Sequence, residues 1–254
     1  MIYGPYETSY ITNEQFQRDP SCNKINNINR DCIVIGLGGI GGHVADILGS
    51  LQHVDSIILF DDDIIELKNL NRTIYSYRHI GKYKVEAMSE IISSRNCGPI
   101  VISINAKFNK ETCDKLNSED FNIQRKIFSV FDCRDDYFGD YDLLNSLKFV
   151  YQYNLVRAAY NGMSVTIDPN PKDHPVWGQG GYTENMSHSF PSRLAALLAI
   201  ICEGSRECNE DTLYNNPITF NSENLFRIIT DGVKLNNMTN IEDRDKIMNS
   251  LYKE

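Results

Sequence analysis

The chain has 254 residues, 41% of them hydrophobic and 23% charged, and a formal net charge of −9. This composition is ordinary for a globular domain and excludes wholesale disorder. The negative balance makes a nucleic-acid backbone a poor default partner.

Residues 1–30 carry Asn, Tyr and polar side chains with little periodicity, and read as an N-terminal arm with one short helix near Asn13–Arg18. The pattern then sharpens. Asp31-Cys32-Ile33-Val34-Ile35-Gly36 is an apolar run of the kind buried on both faces of a parallel sheet. A glycine-rich turn leads into Ile40–Leu51, whose apolar residues Ile40, Val44, Ile47, Leu48 and Leu51 have helical spacing. Ser56–Asp61 is a second buried strand, Lys82–Ser93 a helix and Pro99–Ile104 a third strand. Lys110–Leu116 is a helix, Lys126–Phe131 a fourth strand and Leu147–Gln152 a fifth. This alternation predicts an α/β fold: a Rossmann-like, mostly parallel sheet with helices on both faces. An antiparallel extension is expected in the C-terminal half. It begins with a further strand at Val165–Ile167, just after Asn161-Gly162.

Residues 169–190 form a long Pro-, Gly- and His-containing segment, the length of loop that is usually functional or mobile. Pro191 then opens an apolar helix to Cys202. Beyond it the chain is Asn-rich, with a strand expected near Ile218 and helices near Ser222–Ile229 and Ile241–Leu251. The domain plan is an arm at 1–30 and one domain over 31–254: a nucleotide-binding half at 31–168, a crossover loop at 169–190 and a helical part at 191–254. The longest apolar run, Leu194–Cys202, is about half of what spans a bilayer. The first ten residues lack the layout of a signal peptide. Seven cysteines without a framework suit a reducing compartment, so the expected location is cytoplasmic.

Gly36-Leu37-Gly38-Gly39-Ile40-Gly41 lies between the first strand and the first helix, where a phosphate site belongs. Glycines let the backbone approach a phosphate, and the helix N-terminus supplies unpaired amide donors. Asp61 ends the second strand, where a carboxylate can accept from ribose hydroxyls. This pair alone favours NAD. The stretch Asp61-Asp62-Asp63…Asn69-Leu70-Asn71-Arg72, followed by Gly81-Lys82-Tyr83-Lys84, argues otherwise. A hydride-transfer site gains nothing from cations clustered at the phosphates. A site that attacks the α-phosphate of ATP needs them, because charge grows on the phosphoryl oxygens and the departing pyrophosphate. Arg72 and Lys84 suit that work, and the bland alternative for both is a solvated basic surface.

These motifs, with Asp132-Cys133-Arg134-Asp135-Asp136 after the fourth strand, resemble those of the ThiF/MoeB superfamily, which also contains the ubiquitin-activating enzymes. The resemblance covers roughly residues 31–165, in order and with near-family spacing. It implies ATP and Mg²⁺ as cofactors. In the implied site Gly36, Gly38, Gly39 and Gly41 form the nucleotide loop and Asp61 holds the ribose. Asn69 and Arg72 face the triphosphate, Lys84 binds phosphate, and Asp63 and Asp136 belong to the same binding set. Arg72, Lys84 and Asp135 are the implied catalytic residues, with Asp135 positioning Mg²⁺; the alternative for Asp135 is a surface carboxylate in an acidic run. The implied partner is a small ubiquitin-like or sulfur-carrier protein, or a peptide, offering its C-terminal carboxylate, and the implied assembly is a homodimer or a heterodimer with a related chain. A modified tRNA base is kept as an alternative substrate; a membrane is not expected.

The chain also departs from the family. Arg134 and Asp136 stand for the usual Thr and Asn, and Asp140 stands roughly where Arg is frequent. The paired Cys-x-x-Cys motifs of zinc-binding members are missing, so no zinc is expected. The N-terminal segment that lends an arginine to a partner is not evident beyond Gln17-Arg18. Asp173, His174 and His188 read as hydrogen-bonding loop residues rather than metal ligands, and Cys133 as a small hydrophobe rather than a nucleophile. With no cysteine between Cys133 and Cys202, the chain is expected not to form its own thioester with its substrate. Two further readings stand beside this one: an NAD-dependent oxidoreductase, and the non-catalytic scaffold half of a heterodimeric activating enzyme.

Overall fold

The apolar runs pair with one another in a single sheet. The computed structural model describes residues 2–3, 31–51, 54–95, 98–118, 126–134, 141–162, 164–172, 189–204 and 217–221. The strands are β1 (Ile2–Tyr3), β2 (Asp31–Ile35), β3 (Ser56–Phe60), β4 (Ile100–Ile104), β5 (Lys126–Asp132), β6 (Val150–Asn161), β7 (Ser164–Asp168) and β8 (Ile218–Asn221). The helices are α1 (Gly39–Leu48), α2 (Lys84–Ser93), α3 (Lys110–Ser118), α4 (Asp142–Ser146) and α5 (Ser189–Gly204). The sheet order is β1-β4-β3-β2-β5-β6-β7-β8. The strands from β4 to β6 are parallel, and β1, β7 and β8 join antiparallel.

All of β2 is buried, and its side chains alternate between two cores. Cys32 and Val34 pack with Val44 of α1, Met88 of α2 and Ala199 of α5. Ile33 and Ile35 pack on the other face with Cys113 and Leu116 of α3 and Leu144 of α4. Each such aliphatic side chain contributes roughly 1.5–3 kcal/mol relative to exposure. From β2 the chain winds outward through β3 and β4, then returns to place β5 on the opposite side of β2. The sheet therefore changes direction between β2 and β5, which opens a crevice at their C-terminal ends.

Most boundaries agree to within one or two residues, and the larger differences are these. The fifth predicted strand, Leu147–Gln152, is instead β6 at Val150–Asn161. Leu147 and Phe149 are apolar because they fill the core beneath α4, not because they lie in the ladder. The strand continues past Gln152 because its second half pairs with β5 on one side and β7 on the other. Helix α1 stops at Leu48 rather than Leu51. There Gly49 approaches α2 so closely that a Cβ would lie 2.9 Å from Ile92. Within the arm, Ile2 and Tyr3 form an edge strand opposite Ile102 and Val101. The short helix expected at Asn13–Arg18 and those at Ser222–Ile229 and Ile241–Leu251 lie outside the described residues, as do residues 173–188 of the long loop. No helix among the described residues is long and apolar enough to cross a membrane.

Candidate active site

The glycine turn is built from two constraints and one opening. Gly36 leaves β2 with φ +84, a conformation that side-chain-bearing residues rarely adopt. A Cβ on Gly41 would fall 1.8 Å from the Gly36 carbonyl oxygen, so only hydrogen fits there. Gly39 is tight too: a Cβ would meet Ser192 Oγ of α5 at 2.8 Å and the Tyr160 hydroxyl of β6 at 3.2 Å. At Gly38 a Cβ would meet nothing within 4 Å. Packing therefore explains glycine at 36, 39 and 41, whereas Gly38 borders open space. Gly38 also caps α1, and no side-chain cap hydrogen bond is made there among the described residues. The first-turn amides and the helix dipole are left to an anion.

Asp61, at the end of β3, ties this turn to the neighbouring strand. Its Oδ2 accepts the Leu37 amide at 2.6 Å and its Oδ1 accepts the Asp63 amide at 2.9 Å. Burial pushes the Asp61 carboxyl above the ordinary carboxylate value, against the opposing pull of Lys84 and the two backbone donors. Lys84 opens α2 and points its ammonium at both acids, 2.6 Å from Asp63 Oδ2 and 3.5 Å from Asp61 Oδ1. At 6% exposure Lys84 is buried, with its ammonium held by these two carboxylates. The carboxylates of Asp61, Asp62 and Asp63 lie within 4.8 Å of one another. Together they offer the hard oxygen donors that a magnesium ion takes.

Arg72 closes the same end. Its Cγ lies 3.5 Å from where a Gly39 Cβ would be, so the side chain crosses the start of α1. Its Nη1 donates to the Lys68 carbonyl at 3.0 Å and to Asn71 Oδ1 at 3.3 Å. Asn69 builds the turn that presents it. The Asn69 Oδ1 accepts the Glu66 amide at 2.8 Å, and its carbonyl accepts the amides of Arg72 and Thr73. The side-chain oxygen of Asn69 is thus engaged inside the turn, at 7% exposure.

Across the crevice, at the end of β5, the buried Asp132 accepts from Arg134 Nε at 2.9 Å and Nη2 at 3.1 Å, and from the Tyr141 hydroxyl at 3.0 Å. Arg134 thus neutralises a buried acid while lying 5.5 Å over the Phe108 ring. Burial, then Asp132, raises the Tyr141 phenol and keeps it a donor. Cys133 is buried with its Cβ against Gly41, the place of a small hydrophobe. Asp135, Asp136, Asp173, His174, His188 and Cys208 lie outside the described residues.

The fold thus brings Gly36, Gly38, Gly39, Gly41, Asp61, Asp63, Asn69, Arg72 and Lys84 to one end of the sheet. The ThiF family pattern matches residues 10–185. The chain belongs to the ThiF family. Among relatives of this ThiF-family chain, ubiquitin-like modifier-activating enzyme 5 of Dictyostelium discoideum is 38% identical over 68 residues, 27% of this chain and 18% of the relative. Its counterpart in Caenorhabditis elegans is 32% identical over 110 residues, 41% of this chain and 26% of the relative. The chain therefore spans about a quarter or less of the curated relatives it matches. In fold it is similar to E. coli MccB with AMPCPP and MccA, at TM-score 0.59 and 21% identity over 87% of this chain and 71% of that one. It is also similar to E. coli tRNA N6-threonylcarbamoyladenosine dehydratase, TcdA, with AMP, at TM-score 0.52 and 17% identity over 77% and 91%.

Sequence reasoning missed His43, Tyr75, Tyr160 and Ser192, which pack around the loop and behind it. His43 follows Gly39 by four residues, one helical turn, and that spacing was the available clue. Tyr75, Tyr160 and Ser192 come from distant segments and left none.

Proposed function

We propose that this chain is an ATP-dependent adenylyltransferase that activates the C-terminal carboxylate of a small ubiquitin-like or sulfur-carrier protein, or of a peptide. One observation carries the reading: an uncapped helix N-terminus, the open side of Gly38 and two cations share one end of the sheet. Nucleotide complexes of similar folds, E. coli MccB with ATP and TcdA with AMP, support the ATP half of this reading. The complex of MccB with N-formylated MccA supports the peptide half.

In the proposed reaction a carboxylate oxygen attacks the α-phosphorus of ATP. The bond from that phosphorus to the bridging oxygen breaks, pyrophosphate leaves, and an acyl-adenylate remains. No proton transfer is required, so the protein's task is to hold two anions together and neutralise the growing charge. The α1 amides and Gly38 cradle phosphate oxygens, and Asp61 accepts from the ribose. Arg72 reaches over α1, and Lys84 exchanges its exposed partner Asp63 for phosphate. Bound Mg²⁺, for which Asp135 is the candidate holder, with Asp62 and Asp63 nearby, would supply further charge neutralisation. The adenylate passes to an external nucleophile, without a thioester on this chain, and the working assembly is a dimer.

Pyrophosphate exchange tests this. Purified chain with MgATP and C-terminal peptides or small β-grasp proteins should return label from pyrophosphate into ATP only when a carboxylate is supplied. Tight nicotinamide binding without ATP binding overturns the reading in favour of an oxidoreductase. ATP binding with no exchange across that panel overturns it in favour of a scaffold subunit.

A further inference from the structure

Three separate segments meet at the candidate nucleotide site: the glycine turn, the turn bearing Arg72, and the head of α2. Two buried side chains join them. The Tyr75 hydroxyl donates to the Leu37 carbonyl at 3.1 Å and lies 3.4 Å from the Lys84 carbonyl. His43, on α1, brings Nε2 to 3.2 Å from the Arg72 carbonyl. Both residues are buried, Tyr75 at 4% exposure and His43 at 6%.

Peptide planarity gives the first contact its meaning. In a trans peptide the carbonyl and the following N–H point in opposite directions. With the Leu37 carbonyl drawn toward buried Tyr75, the Gly38 N–H is turned the other way. Gly38 is the residue whose surroundings are open. The Leu37 amide is already held by Asp61, so both faces of this residue are fixed and the Gly38 donor has one direction to take. The second contact acts on Arg72 in the same manner. Its carbonyl is held by His43, and the next amide, Thr73, donates to the Asn69 carbonyl at 3.1 Å. The Arg72 side chain therefore starts from a fixed backbone as it crosses Gly39.

We propose that Tyr75 and His43 are positioning residues of the nucleotide site, Tyr75 aiming the Gly38 amide at the phosphates and His43 holding Arg72 over α1. This rests on the ATP-binding reading above. Both groups keep the required protonation. Burial, and secondarily Asp61, raises the Tyr75 phenol well above its ordinary value. Burial lowers His43, outweighing the Arg72 carbonyl, with Arg193 lowering and Asp46 raising it further. A neutral imidazole facing a carbonyl, which only accepts, donates from Nε2.

The test is equilibrium binding of MgATP to the full chain by calorimetry, which needs no carboxylate substrate. Tyr75→Phe and His43→Ala should each raise the Kd roughly three- to tenfold, the scale of one lost hydrogen bond. His43→Gln, which restores a donor near Nε2, should return it to the wild-type value. Tyr75→Phe keeps the buried ring and carries the test if His43→Ala does not fold. Wild-type affinity in Tyr75→Phe and His43→Ala overturns the inference and leaves the ATP reading intact. Failure of His43→Gln to recover affinity overturns the assignment of His43. A wild-type chain that binds no MgATP overturns the functional reading and this inference with it.

Discussion

Asp61 Oδ2 accepts the Leu37 amide at 2.6 Å, across 24 residues of sequence, so the carboxylate that ends β3 also fixes the glycine turn that follows β2. Candidate binding group and scaffold are here the same side chain. The ionisation of Asp61 is thereby linked to the shape of the loop as well as to any ribose it holds.

A pH dependence follows. The Asp61 pKa is raised above its ordinary value of 3.8, chiefly by burial. Between that value and the raised one the folded state holds a proton that the unfolded state lacks, so this group's contribution to stability falls as pH rises through the window. Nucleotide affinity should move the opposite way, because only the carboxylate accepts from both ribose hydroxyls. MgATP affinity should therefore drop as pH falls, beginning above the ordinary carboxylate range, and Asp61→Asn should be weaker and flat over the same range. A wild-type profile without any inflection would refute the role of Asp61.

Arg72→Ala, Lys84→Met and Asp135→Ala should each slow pyrophosphate exchange by about a hundredfold or more, the scale of one preorganised charge lost at a transition state. Lys84→Met should also cost stability, about 1–3 kcal/mol, because Asp61 is then buried without its cation. Arg72, at the surface of its turn, should leave the thermal midpoint nearly unchanged. Exchange at wild-type rates in all three variants would dismantle the site.

The glycines separate folding from binding. Gly41→Ala should fold poorly, since its methyl would enter the Gly36 carbonyl. Gly38→Ala should fold normally, because its methyl has open space, yet lose MgATP affinity by tenfold or more where a phosphate needs that space. Circular dichroism and calorimetry on the two proteins decide this. A Gly38→Ala variant with native affinity would move the phosphates elsewhere.

No thioester should form on this chain. Cys133 is buried beside Asp132, Cys113 is fully buried, and for Cys32 burial raises the thiol well above its ordinary value, so none of the three resembles an activated thiolate. Protein incubated with MgATP and cognate substrate should show no thiol-labile adduct on a non-reducing gel. An adduct lost on a single Cys→Ser change, at Cys202 or Cys208 above all, would make the chain a substrate carrier as well as an activator.

The parallel centre of the sheet was legible because β2 and β3 are almost wholly buried and read as apolar runs, and β4 and β5 are apolar but for Ser103, Ser129 and their ends. The same logic failed at β6. Its apolar lead-in, Leu147 and Phe149, belongs to the core under α4, and its later half carries Arg157, buried in register between Asp132 and Asp168. A charged residue in a central strand conceals it from any reading by hydropathy. At the candidate site, the convergence of the glycines, Asp61, Arg72 and Lys84 on one end of the sheet was legible through residue types. The supports were not, because the roles of Tyr75 and His43 arise from carbonyls that only tertiary structure brings near. The burial of Lys84 was hidden for the same reason: its partners lie more than twenty residues upstream.

The pairing of β2 with β5 joins Ile35 to Asp132, about a hundred residues apart in the chain. Loop closure over that distance is entropically costly, and parallel pairing of this kind forms slowly. On the ribosome, β2, β3 and β4 can associate as soon as they emerge, while the β5 side of the crevice stays bare until the second half is made. Strand β2, apolar on both faces, waits through that interval with one edge unpaired, which is the period of greatest exposure to aggregation. Slower synthesis beyond residue 104 should lengthen that vulnerable interval, and a chaperone that shields the β2 edge should shorten its consequences.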